Sequence, residues 1–394
     1  MSASENDRAY RVAGFPAGAS QTTAQAILAK FFDADIQATV RSLGPHPQTH
    51  SIVAIVMFSR TPGRLQNGSA WALEDVVTLD GKSVKLRLEI DTAFLGFTPL
   101  NAAQGDESDK IDCIVVSGLS SHPFGSWKQR GGRFMWLVDH DENAPGVPPN
   151  VRSLLYGYDT SLVGSESFQD VVDIGMRLAS DIKGIRPQPA DRESFEPRPI
   201  VFIAHSLGGL VVKEAVCQLY KADPMNAECI YGLVFFGVPH DGLLVEPWLR
   251  IIGKQPNHRL IEDLKADSRY LQRLGQRWPG TVLHSQIGMN RNHENLPKFN
   301  GQFDNDYLAL KPYLHEIWIN AVPDVQSRFD DKASDAKSDD SPTTGLLQLW
   351  PPRDVEETSK IKTDVECVYL SNPYANANAL REASSQYMGS EAIR

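Results

Sequence analysis

Ala204-His205-Ser206-Leu207-Gly208-Gly209 joins a short apolar run, Pro199-Ile200-Val201-Phe202-Ile203, to a helical stretch, Leu210-Val211-Val212-Lys213-Glu214-Ala215-Val216. The order strand, sharp turn, helix holds a serine clear of a sheet with the positive end of a helix aimed at it, so that an oxyanion formed beside it meets backbone donors. Such a turn needs small residues two positions before and two after the serine, and Ala204 and Gly208 supply them. Ser206 is therefore the candidate nucleophile. Alone, the pentapeptide also fits an ordinary glycine turn at the end of a parallel strand, so the rest of the chain has to decide.

A serine of this kind needs a second oxyanion donor, from the loop after the first strand of its domain, and then an acid and a histidine in that chain order. The loop is Val116-Ser117-Gly118-Leu119-Ser120-Ser121-His122-Pro123. The spacing predicts that the N–H of Leu119 pairs with that of Leu207 to form an oxyanion hole.

The elements that must carry these groups lie between 111 and about 320, where strands at 111–116, 152–158, 200–203, 231–236 and 281–287 alternate with helical segments. That alternation predicts an α/β domain with a mostly parallel sheet and helices on both faces. A helix over about 168–183 places Val171, Val172, Ile174, Met176, Leu178 and Ile182 on one apolar face. Residues 1–101 read as a small α+β domain of ferredoxin-like βαββαβ pattern: strands at 10–15, 39–42, 51–58 and 83–90, a helix over 23–32 and a short helix over 70–75. Residues 102–110 are a polar linker. The run Asp330 to Pro342 is too polar to bury a core, so 321–394 reads as a disordered tail with one candidate docking segment at 346–350.

The net charge of −10 argues against a nucleic-acid partner. So do residues 1–110, where ten Lys and Arg face twelve Asp and Glu and the strand 52–58 offers no row of stacking aromatics. The four cysteines form no metal or disulfide framework and read as reduced thiols of an intracellular, cytoplasmic protein. The first residues carry no basic start or apolar core of a secretory signal. Apolar runs are of strand length, well short of the roughly 20 residues that span a bilayer. No metal or organic cofactor is expected, since no zinc cluster, Walker loop or dinucleotide fingerprint is present.

Gly118-Leu119 with His122-Pro123 and Ser126-Trp127, then Tyr156-Gly157-Tyr158, Phe202 to Ala215, and Phe235-Phe236-Gly237-Val238-Pro239-His240-Asp241-Gly242 resemble the serine-active-site (DUF676-like) lipase family of α/β-hydrolases. They are also similar to the N-terminal hydrolase-like domain of large fungal nucleotide-binding receptor proteins. The resemblance covers 111–320. It implies that His293, in Asn292-His293-Glu294-Asn295-Leu296-Pro297-Lys298-Phe299, is the base. It further implies an acyl-ester or lipid substrate and peripheral association with endoplasmic-reticulum or mitochondrial membranes. One feature departs from the family: Ile287 to Asn292 is too short for the usual helix and strand before the histidine. Gln286 occupies the place of the acid, which leaves Asp241 as a weak candidate. Two functions are expected from this pattern, a serine esterase or lipase, or a degenerate hydrolase fold that binds protein partners through 1–101 or the tail. His205 and His240 are expected to position loops, and 243–252 to be a lid or a packed helix.

Overall fold

The computed structural model describes residues 8–79, 81–101, 111–139, 147–148, 150–186, 195–278, 283–338 and 366–371. The expected linker and the 346–350 segment lie outside them.

Five strands and one helix open the chain: β1 (Ala9–Phe15), α1 (Gln21–Phe31), β2 (Ala38–Pro45), β3 (Ile52–Phe58), β4 (Ala70–Leu79) and β5 (Lys82–Asp91). Ser20 caps α1 by accepting from Thr23 N, and Ala24, Ile27, Leu28 and Phe31 turn inward at helical spacing. The sheet order is β2-β3-β1-β5-β4, with β1 antiparallel to both β3 and β5. The helix expected at 70–75 is instead the start of β4. Val76, Val77 and Thr78 favour a pleated strand, and Leu79 pairs with Lys82 across a loop whose Gly81 takes φ 76°, so the segment folds back on β5 as a hairpin.

The second sheet holds β6 (Gly96–Pro99), β7 (Ile111–Val116), β8 (Val151–Gly157), β9 (Ile200–His205), β10 (Ile230–Phe236), β11 (Leu283–Gly288) and β12 (Glu366–Ser371). Its order is β11-β12-β10-β9-β7-β8-β6, parallel throughout except for β6, which runs against β8. Helices α2 (Val171–Ile185), α3 (Leu207–Ala222), α4 (Pro224–Glu228), α5 (Glu246–Ile252), α6 (His258–Asp263), α7 (Arg269–Arg277) and α8 (Asn305–Ser338) surround it. Every residue of β7, β9 and β10 is buried, as in a sheet covered on both faces. On α2, Val171, Ile174, Leu178 and Ile182 face the core, whereas Met176 is exposed.

Three expectations about boundaries change. Residues 96–99 belong to the large sheet, not the small one. The folded part does not end at 320: on α8, Leu310, Leu314, Ile317, Ala321, Val325 and Phe329 form one buried stripe at helical spacing. Part of the expected disordered tail is an interior strand, since β12 pairs in parallel with both β10 and β11 and buries Val368 and Leu370. It fills the slot that the short segment before His293 leaves open, so the sheet has no gap.

Candidate active site at the end of β9

Strand β9 ends at His205, and α3 begins at Leu207, so Ser206 alone makes the turn, with φ 53° and ψ −128°. This backbone is uncommon for a residue with a Cβ, costs on the order of 1–3 kcal/mol, and persists only where its surroundings over-determine it. Ser206 N donates to Phe236 O at 2.9 Å. A Cβ on Gly208 would lie 2.6 Å from Val116 O, and one on Gly209 would lie 2.1 Å from a Val238 methyl, so both glycines are required by close approach. Leu207 is the first residue of α3, and its N–H therefore has no intrahelical acceptor. Gly118 brings the loop after β7 against the turn: a Cβ there would sit 2.7 Å from Ser206 Cβ and 3.3 Å from its Oγ.

His293 opens a 3₁₀ turn, His293–Asn295, in which Asn292 accepts from Asn295 N. Arg291 anchors the approach by ion pairs to Asp304 and Asp306, and Trp136 Nε1 donates to Pro297 O at 3.0 Å. His293 Nε2 thereby stands 2.9 Å from Ser206 Oγ. The structure brings the two residues together across 87 positions of sequence. Burial lowers the His293 pKa to about 4, against a small opposing pull from Glu294. The ring is neutral at neutral pH, the form a general base requires.

His205 works on the same turn. Its Nε2–H donates to His293 O at 2.9 Å, and the two rings lie 4.9 Å apart. Burial, followed by the nearby His293 and Lys298, holds its pKa well below the usual histidine value, so it acts as a neutral donor. That pairing is invisible in sequence, where His205 is only the neighbour of the serine.

Asp241 is not brought to the imidazole. It is exposed in a turn closed by Gly242 N donating to Pro239 O at 3.1 Å, and among the described residues no carboxylate hydrogen-bonds His293. The turn residue Gly237 lies beside the other ring nitrogen, since a Cβ there would stand 3.0 Å from Nδ1. Gln286, in register with Tyr369 on β12, is a sheet residue. The 243–252 segment is mainly a packed helix, with Val245, Trp248 and Ile252 buried while Leu244 and Ile251 are exposed. A cavity of about 440 Å³ opens beside the histidine turn, but Arg130, Arg291, Lys298, Asp306 and four asparagines line it, so it is no acyl pocket. Among the described residues no His, Cys, Asp and Glu cluster could hold a metal ion.

A mostly parallel sheet with a strained serine turn and a histidine from the loop after β11 defines an α/β-hydrolase. Residues 150–260 match the family model described as "Putative serine esterase (DUF676)". The chain resembles that family over the stretch from β8 to α6, which includes the Ser206 turn. Over 152 residues it is 31% identical to Protein SERAC1 of Danio rerio, a match covering 34% of this chain and 22% of that protein. Protein SERAC1 of Mus musculus is 27% identical over 149 residues, with the same coverage. The chain thus spans about a fifth of the length of these curated relatives. Among solved structures, the Bacillus licheniformis lipase BlEst2 aligns with a TM-score of 0.32 and 16% identity, covering 56% of this chain and 79% of the lipase, a likeness too loose to carry argument.

Proposed function

We propose that this chain is a serine esterase of lipase type that cleaves acyl esters, lipid esters among them. The observation that carries the reading is the 2.9 Å contact from His293 Nε2 to the Oγ of a serine held at φ 53°. In this mechanism Ser206 Oγ attacks the ester carbonyl while His293 Nε2 takes its proton. The oxyanion faces the N–H groups of Leu119 and Leu207, and the imidazolium returns the proton to the leaving alkoxide. Water then repeats the sequence on the acyl-enzyme, with His293 again as base and acid. The absence of a carboxylate on His293 among the described residues has a cost. Loss of the acid in a serine protease lowers turnover by a factor of about 10⁴, so a slow enzyme is expected. A family resemblance of lipase type supports a substrate drawn from a membrane surface by peripheral association, with the endoplasmic reticulum and mitochondria as candidate membranes. Among the described residues, no helix is long and apolar enough to cross one. The second reading is a fold kept for binding protein partners, and the lack of a carboxylate hydrogen-bonded to His293 among the described residues favours it.

Labelling with a fluorophosphonate probe separates the two. The wild type labels stoichiometrically, while Ser206→Ala and His293→Ala lose the labelling rate by at least about 10³-fold. A folded wild-type protein that does not label would leave the binding reading. The pH dependence is a further expectation. Because the base is active when neutral and burial lowers its pKa to about 4, the labelling rate stays flat from pH 8 to 6 and falls only toward that value. A midpoint near 6.5, the ordinary histidine value, would show that His293 is not buried as described.

A further inference from the structure

The small N-terminal sheet meets the large one at the loop beside Ser206. At the end of β5, Asp91 accepts from Arg11 Nε of β1 at 2.8 Å and from Phe94 N at 2.7 Å. Arg11 Nη1 also donates to Leu95 O at 2.8 Å and to Thr98 Oγ1 of β6 at 3.2 Å. One guanidinium thereby ties two strands of the small sheet to the edge strand of the large one. The turn it closes holds Phe94 fully buried at φ 53°, a left-handed backbone uncommon for an aromatic residue. The Phe94 carbonyl lies so near β8 that a Cβ on Gly157 would stand 2.0 Å from it.

Phe94 in turn presses edge-on against the His122 ring, with centroids 4.6 Å apart at 73°. His122 organises the loop from within. Its Nδ1 accepts from Phe124 N and Gly125 N, each at 3.2 Å, and its carbonyl accepts from Ser126 Oγ at 2.8 Å. Upstream in the same loop, Ser121 Oγ donates to Gly118 O at 2.6 Å, and Ser120, at φ 51°, donates its N–H to Thr160 O at 2.6 Å. Between them stands Leu119. A loop bound by short contacts within itself still needs an external reference to hold its place against the serine turn. The described contacts supply one from the N-terminal sheet.

We infer that the N-terminal sheet is a positioning element for the oxyanion loop: Arg11 and Phe94 act through His122 to hold the Leu119 N–H opposite that of Leu207. The catalytic part of this inference rests on the esterase reading, whereas the mechanical part does not.

Hydrogen exchange on the full-length chain tests the mechanical part whether or not the protein is an enzyme. Arg11→Ala and, independently, Phe94→Leu are expected to speed exchange in residues 118–126 by about 10-fold, with α1 and α3 protected as in the wild type. Arg11→Lys, which keeps the charge but loses the fork that reaches Asp91, Leu95 and Thr98 together, should restore only part of the protection. Unchanged protection of 118–126 in both Arg11→Ala and Phe94→Leu would overturn the inference. Loosening spread equally over α1 and α3 would also overturn it, since Arg11 would then be merely structural. In the kinetic arm, the maximal fluorophosphonate labelling rate falls by about 10-fold while the half-saturating probe concentration stays put. An unchanged maximal rate in a variant whose loop has loosened would refute the catalytic part. A wild type that fails to label would strike the esterase reading alone, leaving the exchange result to decide.

Discussion

A chain ending after residue 365 is expected to lose probe labelling by at least about 100-fold and to unfold at a distinctly lower denaturant concentration. The reason lies in where β12 sits. Its backbone pairs with β10 from Gly232 to Phe236 on one side and with β11 from Leu283 to Gly288 on the other, so deletion exposes two strand edges inside a sheet. Val368 and Leu370, 3% and 1% exposed, each contribute on the order of 1.5–3 kcal/mol by burial. Tyr369 adds ring contacts to Phe235 and His240 at 5.6 and 5.1 Å. Together these approach 5 kcal/mol, the lower end of the total stability of an ordinary domain. Catalysis suffers for a second reason: Gly237 N donates to Leu370 O at 2.7 Å, and Gly237 packs against the His293 ring. Truncated protein with wild-type labelling and an unchanged unfolding midpoint would show that β12 is dispensable to the sheet.

Asp112→Asn is the second large effect, and it acts at the opposite end of the strands. The Asp112 carboxylate is fully buried at the start of β7 and is gripped by Arg152 at 2.7 Å, Arg198 at 2.9 Å and Arg186. Arg186, itself 5% exposed by side chain, also donates to Asn226 Oδ1 at 2.8 Å, so the cluster joins β7, β8, the end of α2 and α4. Burial by itself would raise the Asp112 pKa, but Arg186, Arg152 and Arg198 outweigh it and hold the carboxyl below its ordinary range. Replacing it with an amide leaves buried guanidinium charge uncompensated, at a cost of about 3–5 kcal/mol. The pH dependence has a definite sign. A depressed folded-state pKa means the stabilisation is present above the unfolded value of 3.8 and is lost as pH falls through the folded one. The stability gap between wild type and variant, measured by urea unfolding, should therefore be full at pH 6 and narrow below about pH 4. Labelling per folded molecule should be unchanged. A gap that is absent at pH 6 would show that the arginines find other partners.

How much of this could be seen in the chain beforehand follows from the range of each interaction. The serine turn was legible because its requirements are local: an apolar strand, two small residues and a helix within about fifteen positions. His293 was reachable only through the resemblance carried by its flanking residues, since nothing local distinguishes it from nine other histidines. The start of hairpin β4–β5 reads as helix in the sequence because Ala70 to Asp75 has helix-compatible residues, and pairing along all of β5 overrides that preference. Asp241 looked eligible by its place after a strand, yet a turn pointing to solvent removes it.

The amino-acid sequence by itself determined the mostly parallel α/β order, the buried strands and the strained turn at Ser206, because periodicity and turn chemistry act between neighbours in the chain. Only the tertiary structure decided that a strand from beyond residue 365 completes the sheet, that His205 holds the carbonyl of His293, and that Arg11 and Phe94 bear on the loop at 118–126. Those contacts join residues from 28 to 134 positions apart, as in Phe94 with His122 and Leu233 with Cys367. A short segment such as Cys367-Val368-Tyr369-Leu370 carries no mark of the slot it fills, because hydrogen bonding along a strand edge is generic and the choice of partner depends on which edge the rest of the fold leaves open.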